Sequence, residues 1–265
     1  MNLDALLALY REPMFWIFPV GTVLLSTAAF ALFAAPFTWI AWKRPRWAEP
    51  YRIQERSGQG DRIIGPSIRY FTLNGLVLLG SLVLTWPVLR LSGVHAGPLP
   101  PWYVMLAQVL LFIYLDDFLF YWMHRALHTR VLYKRIHATH HRFNVPWAIA
   151  GNYMHPIEFL AIASLVLVGP VLVSAHVMTI WIWVIFRQWE AVEGHCGYDF
   201  PWNPLRWLPF HEGAAFHDFH HSTFRGNYAG FTSLWDGVFG TLSPGYEAHM
   251  AAQRADPQEP PLPQP

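Results

Sequence analysis

The sequence predicts an all-α, polytopic membrane protein with about four membrane-embedded helical elements, namely three spans and one helical hairpin. The prediction rests on the composition, on long apolar stretches and on histidines spaced as on helices. Of the 265 residues, 54% are apolar and 13% are charged, whereas a soluble domain has about 25% charged residues. The net charge of +1 gives no electrostatic basis for binding nucleic acid. The single cysteine, Cys196, excludes an internal disulfide, a thiolate zinc site and an iron–sulfur cluster.

Three apolar stretches have the roughly 20 residues that a helix needs to cross a bilayer; they are 14–40, 70–92 and 102–123. A fourth stretch, 157–186, would be about 45 Å long as one straight helix, whereas the hydrocarbon core is about 30 Å thick. Because Gly169-Pro170 lies near its middle, this stretch predicts either a strongly tilted span or a hairpin that breaks at Gly-Pro. The N-terminus has no positively charged start, and we expect no cleaved signal peptide.

Basic residues indicate the orientation. Segments 43–69 and 124–156 contain seven and five Lys or Arg residues, and the loop 93–101 contains none. Since positive residues stay in the cytoplasm, both basic segments are expected there. Four further arginines from residue 187 onward favour the hairpin, which returns the chain to the same side. The predicted regions are an N-terminal transmembrane region (1–123), a region that combines the membrane hairpin at about 157–186 with cytoplasmic histidine-rich helices (124–247) and a Pro-rich, disordered tail (248–265).

Eight histidines fall into three groups with helical spacing, and the pattern HxxHH occurs twice. The groups are His124 and His128; His137, His140 and His141; and His217, His220 and His221. Positions i, i+3 and i+4 share one helical stripe, so each group is expected to direct its imidazoles to one side. Eight nitrogens exceed the six positions of octahedral coordination, which favours two metal ions. Imidazole suits iron, copper, nickel and zinc alike.

Other metal sites fit the sequence less well. Residues 211–217 read HEGAAFH and lack the second histidine of HExxH, and His211 lies off the helical stripe of His217. No Glu-x-x-His pair occurs, which excludes a carboxylate-bridged di-iron bundle. A zinc hydrolase needs only about three protein ligands. A membrane metal transporter would carry its ligands at mid-bilayer, whereas these histidines begin where the third span ends.

Four stretches resemble the sterol desaturase/fatty acid hydroxylase superfamily, over about 116–241. They are DDFLFYWMHRALHTRVLYKRIHATHHRFNVP (116–146), HPIE (155–158), EGHCGYD (193–199) and HDFHHSTFRGNYAGFTSLWDGVFGT (217–241). In addition, YRIQ (51–54) is similar to a stretch of C4-methyl sterol oxidases. The resemblance implies a membrane-bound, non-haem di-iron enzyme that uses O₂ and two electrons to hydroxylate, desaturate or oxidise a lipid.

The resemblance also implies which residues bind the metals. These are His124, His128, His137, His140, His141, His155, His195, His217, His220 and His221. His195 matches an isolated histidine of the family, and His155 matches the histidine of a His-Pro-x-Glu motif. His155 could instead cap a helix ahead of Pro156. The remaining His95, His176 and His249 match no motif and are expected to be structural or exposed, the first two across the membrane.

The implied cofactors are two iron ions, with O₂ as co-substrate, and zinc is expected to be able to replace iron in purified protein. The implied partners are an apolar lipid substrate and an external electron donor such as a ferredoxin, a cytochrome b5-like protein or a reductase. The active site is expected at the cytoplasmic face. YRIQ favours a sterol-like substrate, while fatty acids, sphingolipids, hopanoids and carotenoids stay open. Hydroxylases, desaturases and methyl oxidases share these ligands.

Carboxylates near the histidines are candidates for orienting them, because ligating histidines usually donate their other N–H to a carboxylate or carbonyl. Asp117 lies seven residues before His124 on the same helical face and is the candidate catalytic residue. Asp116 is expected to face another helix. Further candidates are Glu158, Glu193, Asp199, Asp218 and Asp236. Aromatic residues expected to line a lipid slot or to pack in the membrane are Phe118, Phe120, Tyr121, Trp122, Phe143 and Trp147.

Overall fold

All regular secondary structure in the described part of the chain is helical, as predicted. The computed structural model describes residues 3–54, 58–246 and 248. Within these residues only two isolated bridges, Arg52 with Tyr198 and His95 with His176, have β geometry. The predicted disordered tail, including His249, lies outside the described residues apart from residue 248.

The helices of the described residues follow one another in this order: α1 (Leu3–Leu9), α2 (Pro13–Phe15), α3 (Gly21–Lys43), α4 (Ile64–Leu89), α5 (Trp102–Leu127), α6 (Arg130–Arg135), α7 (Pro156–Leu172), α8 (Val177–Glu193), α9 (Ala214–Thr223) and α10 (Leu234–Val238). A π-helical turn, Trp16–Val20, joins α2 to α3. Short 3₁₀ turns are Glu49–Tyr51, Gly60–Ile63, His137–Arg142, Ala148–Ala150 and Pro204–Trp207.

Three helical runs are long and apolar enough to cross a membrane: Pro13–Lys43, Gly60–Leu89 and Trp102–Leu127. They contain the three apolar stretches that the sequence predicts, except that the second run ends at Leu89. Leucines on their outer faces, among them Leu32 and Leu84, are exposed. Such side chains are suited to contact with lipid acyl chains, and the fold is that of an integral membrane protein.

The fourth apolar stretch forms two helices, α7 and α8, and not one tilted span. The predicted break at Gly169-Pro170 is wrong, because both residues lie inside α7 and the chain turns at 173–176. Pro170 has no N–H to donate to the carbonyl of Val166 four residues earlier. The indole Nε1 of Trp183 in α8 donates to that oxygen at 3.0 Å instead. The freed acceptor is thereby satisfied, and α7 continues through its proline.

Gly169 serves close packing. A Cβ at this position would lie 2.6 Å from Cδ1 of Phe112 in α5, which is closer than real contacts allow. The missing side chain therefore lets α7 approach α5. Phe112 and Trp183 are buried in one hydrophobic core that also includes Phe231 from the segment before α10. This core joins the apolar helices to the part of the chain that carries the second HxxHH box.

The turn between α7 and α8 packs on the loop that follows α4. The N–H of Val177 donates to the carbonyl of His95 at 2.9 Å. His176 caps α8, because its Nδ1 accepts from the N–H of Met178 at 3.0 Å and its Nε2 donates to the carbonyl of Gly97 at 3.0 Å. The hairpin thus returns the chain to the end at which α7 began, and that end holds the histidine boxes.

Candidate metal centre

Nine histidines form two groups, each with ligand atoms that all lie within 4.8 Å of one another. The five-histidine group consists of His124, His128, His137, His141 and His220. The four-histidine group consists of His140, His195, His217 and His221. The groups adjoin, since the ring centroids of His141 and His221 are 4.6 Å apart. Nine of the ten predicted ligands are therefore brought together.

Each HxxHH box contributes to both groups, so the expectation that its imidazoles all point one way is wrong. In the first box, His137 and His141 join the five-histidine group, whereas His140 joins the four-histidine group. The second box reverses this assignment, and only His220 joins the five-histidine group. The first box is a 3₁₀ turn and the second lies in α9. The repeated pattern interlocks the two groups.

The histidines approach one another through their Nε2 atoms. Nε2 of His137 lies 3.0 Å from Nε2 of His128 and 3.0 Å from Nε2 of His141. Nε2 of His195 lies 3.1 Å from Nε2 of His221 in the other group. Nitrogen atoms that bind one metal ion at about 2.1 Å are about 3.0–3.4 Å apart in octahedral or tetrahedral geometry. The spacing within both groups fits a metal ion.

Backbone carbonyls decide which ring nitrogen carries the proton. Nδ1 of His124, His140, His195 and His220 lies 2.7, 3.2, 2.8 and 2.7 Å from the carbonyl oxygens of Tyr228, Tyr153, Ala191 and Gly226, respectively. A carbonyl oxygen only accepts, so each Nδ1 donates and each neutral ring presents a lone pair at Nε2. Lone pairs that face one another repel unless a cation lies between them. The donor set therefore fits metal ions.

A carboxylate holds one further ligand. Nδ1 of His137 donates to Oε1 of Glu158 at 2.7 Å, and both side chains are buried. Glu158 is one of the carboxylates that the sequence predicts near the histidines. Such a partner fixes the tautomer and the orientation of the ring and makes the imidazole a stronger ligand.

Four of the grouped histidines outside the membrane-spanning helices have pKa values well below neutral pH. Burial lowers the pKa of His128, His137 and His195 to about 3 and that of His140 to about 4. Desolvation disfavours the charged imidazolium, which explains the direction of these shifts. A neutral imidazole is the form that binds a metal ion.

His155 is not brought to either group, in contrast to the prediction from the resemblance. Its Nδ1 accepts from the N–H of Ile157 at 3.2 Å, and the residue is the N-cap of α7 ahead of Pro156. With Nδ1 as an acceptor in this cap, the ring faces the start of its own helix. His211, which the sequence analysis leaves out of the ligand set, also lies outside both groups.

Asp117 does not contact a ligand ring, so its predicted role of orienting a ligand directly is wrong. Its Oδ1 accepts from the N–H groups of Gly230 and Phe231 at 2.9 and 2.7 Å, and its Oδ2 accepts from the hydroxyl of Thr232 at 2.6 Å. The same loop carries the carbonyl of Tyr228 that accepts from His124. Asp117 therefore positions a loop that in turn holds a ligand.

The other predicted carboxylates also hold backbone segments or side chains around the site. Asp236 accepts from the N–H groups of Tyr228 and Ala229 at 2.9 and 2.8 Å, which fixes the same loop from its other side. Asp116 faces another helix as predicted and pairs with Arg187 of α8 at 3.1 Å. The remaining partners are Asn203 for Glu193, Arg206 for Asp199 and Gln54 for Asp218.

An apolar cavity among α3, α4, α5, α7 and α8 reaches histidines of both groups. His124 and His137 of the five-histidine group line it, together with His140, His195 and His217 of the other group. Its apolar wall includes Leu78, Leu82, Ile162 and Val166. Of the six aromatic residues that the sequence analysis singles out, only Phe120 lines this cavity. The histidines thus face a space suited to a hydrocarbon.

The carbonyls that hold the ligands were missed by the sequence analysis, because every residue has a carbonyl and no side chain marks these four. The polar residues Ser26, Asn152 and Gln188 of the cavity wall were also missed. The sequence does contain a signal for Ser26, because a polar residue within an apolar stretch indicates a polar contact. For Asn152 and Gln188, proximity to the cavity depends on the return of α8 along α3.

The fold and the site together define a class, namely integral membrane proteins with paired, buried histidine clusters that fit two metal ions. The chain belongs to the fatty acid hydroxylase family, whose model matches residues 109–241. It is an oxygen-dependent oxidoreductase of that family. The family match agrees with the resemblance drawn from the histidine motifs.

The chain is similar to curated plant proteins over most of its length. Methylsterol monooxygenase 2-2 of Arabidopsis thaliana is 37% identical over 230 residues, which cover 84% of each chain. Very-long-chain aldehyde decarbonylase GL1-11 of Oryza sativa subsp. indica is 38% identical over 226 residues, with the same coverage of 84% of each chain. GL1-10 of Oryza sativa subsp. japonica is 34% identical over 91% of this chain and 80% of its own. No solved structure matches this chain.

Proposed function

We propose that this enzyme is a di-iron lipid oxygenase with its active site at the cytoplasmic face of the membrane, and that its substrate is sterol-like. The observation that carries the proposal is the cavity, because an apolar space in the membrane-embedded part is lined by histidines of both groups. The methylsterol monooxygenases among the relatives and the YRIQ stretch support the sterol-like substrate.

The nine grouped histidines are the proposed ligands, five for one ion and four for the other. Neutral nitrogen donors suit iron, and they suit zinc as well, so zinc can replace iron during purification. Two iron ions held there would supply the activation of O₂ and the oxidation of an unactivated C–H bond. The protein orients five of the nine rings through their Nδ1 atoms, four by backbone carbonyls and that of His137 by Glu158.

The apolar wall has two tasks in this proposal. Leu78 and Leu82 of α4 and Ile162 and Val166 of α7 bind the hydrocarbon skeleton. The same side chains exclude water from the histidine groups, and a dry site prevents the loss of reactive oxidising equivalents to side reactions. Phe120 lies beside His124, with ring centroids 5.1 Å apart, and limits the approach of the lipid to the five-histidine group.

The electrons come from an external donor that we place at the cytoplasmic face. Exposed cations lie along the chain from His124 to just past the end of the first HxxHH box. They are Arg125, Arg130, Lys134, Arg135 and Arg142. Between Asp117 and Glu158 the sequence contains no Asp or Glu. This basic surface supports a cytoplasmic orientation, and its charge complements an acidic redox protein such as a ferredoxin or a cytochrome b5-like protein.

Comparison of host lipids tests the proposal. Cells that express the chain under ¹⁸O₂ should contain a lipid with a new ¹⁸O atom, or a lipid newly desaturated, that is absent when both His140 and His220 are replaced by Ala. The purified wild type should hold close to two metal ions per chain. An active preparation with one ion or none, or lipids that are identical with and without the gene despite two bound iron ions and a supplied reductant, would refute the proposal.

A further inference from the structure

We propose that Ser26, Asn152 and Gln188 form a binding site for a hydroxyl group of the substrate, on the cavity wall near the four-histidine group. The inference rests on the proposed function in taking the ligand of the cavity to be a lipid. It adds that this lipid is an alcohol, with the hydroxyl a few bonds from the carbon that is oxidised. A sterol has this chemistry.

The three side chains come from three separate segments and contact one another. Nε2 of Gln188 in α8 donates to Oγ of Ser26 in α3 at 2.8 Å. Nδ2 of Asn152, in the segment before α7, lies 3.4 Å from Oε1 of Gln188, a long hydrogen bond. All three residues line the cavity. They form one polar patch in a wall that is otherwise largely apolar.

The patch keeps hydrogen-bonding capacity that no described protein group uses. Oδ1 of Asn152 accepts no hydrogen bond from the described residues. The hydroxyl of Ser26 and the second Nε2–H of Gln188 donate none to them. A polar group in an apolar space is costly unless it is hydrogen-bonded. A hydroxyl both donates and accepts, so a single substrate hydroxyl can donate to Asn152 and accept from Gln188 or Ser26.

The patch lies next to the backbone groups that hold two ligands. Asn152 directly precedes Tyr153, whose carbonyl accepts from His140. Gln188 precedes Ala191 by three residues, about 4.5 Å along α8, and the carbonyl of Ala191 accepts from His195. A hydroxyl bound here therefore lies close to the segments that hold two members of the four-histidine group.

The side chains at the polar patch favour an alcohol over a carboxylate. Arg187 is the one Lys or Arg among the described residues that line the cavity. It is already paired with Asp116 and with Glu190. At the polar patch itself, a fatty acid carboxylate would thus meet no unpaired side-chain cation. A neutral hydroxyl group needs no such cation.

A purely structural role is the alternative, because polar side chains also join helices in membranes. The hydrogen bond between Ser26 and Gln188 links α3 to α8, and its loss would then lower stability and weaken every ligand equally. A hydroxyl site predicts a different result, since only the binding of alcohols should depend on these residues.

The test measures the binding of lanosterol and of 3-deoxylanosterol to the iron-loaded protein in nanodiscs without O₂ or reductant. The wild type should bind lanosterol about five- to tenfold more tightly, as expected for one or two neutral hydrogen bonds. The double variant Ser26→Ala/Gln188→Leu, which removes both donors, should lose most of this preference, should still hold two metal ions and should bind 3-deoxylanosterol as tightly as the wild type does. The matched controls are Gln108→Leu and Ser164→Ala, which lie on α5 and α7 outside the cavity wall and should keep the preference.

Equal binding of the two lipids by the wild type, or no binding of lanosterol, overturns the inference. So does an equal loss of affinity for both lipids in the double variant, which indicates a structural link only. If the wild type prefers lanosterol but oxidises no lipid, the hydroxyl site stands and the proposed function fails. If it oxidises 3-deoxylanosterol as well as lanosterol, the proposed function stands and the hydroxyl site fails.

Discussion

At the scale of single residues, each position of the HxxHH boxes has its own task. The fourth position of each box crosses to the group that the rest of its box does not join, so both groups depend on both boxes. Four of the nine rings are oriented by backbone carbonyls, and Glu158 is the carboxylate that holds His137. This division of each box between the two groups explains why the chain contains the HxxHH pattern twice, since one box alone supplies neither group completely.

Single ligand replacements should differ in their effect on metal content. His220→Ala leaves four histidines in its group, which is enough for tetrahedral coordination, whereas His140→Ala leaves three in the other group. After dialysis against a chelator, His140→Ala should retain about one metal ion and His220→Ala more than that, measured by elemental analysis. His155→Asn is the control, because Asn is also a good N-cap, and it should retain two ions. Loss of metal in His155→Asn would contradict the assignment of His155 to helix capping.

At the scale of elements, the hairpin of α7 and α8 shows how a proline is accommodated within a helix. Trp183 supplies from α8 the hydrogen bond that Pro170 removes from α7. The same indole packs on Phe112 of α5 and on Phe231, so one side chain connects both helices of the hairpin to the loop that holds His124. Asp117 and Asp236 hold that loop through its backbone N–H groups.

Replacing Trp183 by Phe should destabilise the protein by an amount that depends on whether Pro170 is present. The carbonyl of Val166 would lose its donor in an apolar environment, at a cost of about 1–3 kcal/mol for a buried unsatisfied group. Pro170→Ala restores the helical N–H, so the hydrogen-bond part of that cost should disappear in the double variant. The measurement is the thermal unfolding, in one detergent, of the wild type, the two single variants and the double variant. Trp181→Phe, whose indole donates to Thr22 instead, is the control and should cost the same with or without Pro170. Additive effects of Trp183→Phe and Pro170→Ala would disprove the compensation.

At the scale of the whole molecule, the apolar helices separate two ends of different chemistry. One end holds the loop 90–101 and the turn 173–176, which hydrogen-bond to each other. The other end holds the histidine groups and the exposed cations around them. The return of the hairpin places both histidine boxes at the same end, which is the condition for a shared metal centre.

Cysteine labelling should report on which side of the membrane each of these two ends lies. Burial raises the pKa of the Cys196 thiol, so the native cysteine should react little. In intact cells, a membrane-impermeant maleimide should label Leu99→Cys and Val173→Cys, and should label Lys134→Cys only after permeabilisation. Wild-type protein is the control for Cys196. Labelling of Lys134→Cys from outside would contradict the cytoplasmic site, and opposite sides for Leu99→Cys and Val173→Cys would contradict the hairpin.

The all-helical class, the apolar runs and eight of the nine grouped histidines were predictable from local properties, whereas His195 was implied only by the family resemblance. Hydrophobic length marks a span, and a doubled HxxHH marks ligands wherever the helices lie. Tertiary structure decided how the ligands divide between two groups, since that depends on the 3₁₀ turn of the first box facing α9. It also decided that α7 passes through Pro170, that His155 caps a helix and that Asp117 holds a loop. Each of these depends on a partner distant in sequence, such as Trp183 or Thr232, and local periodicity contains no information about such partners.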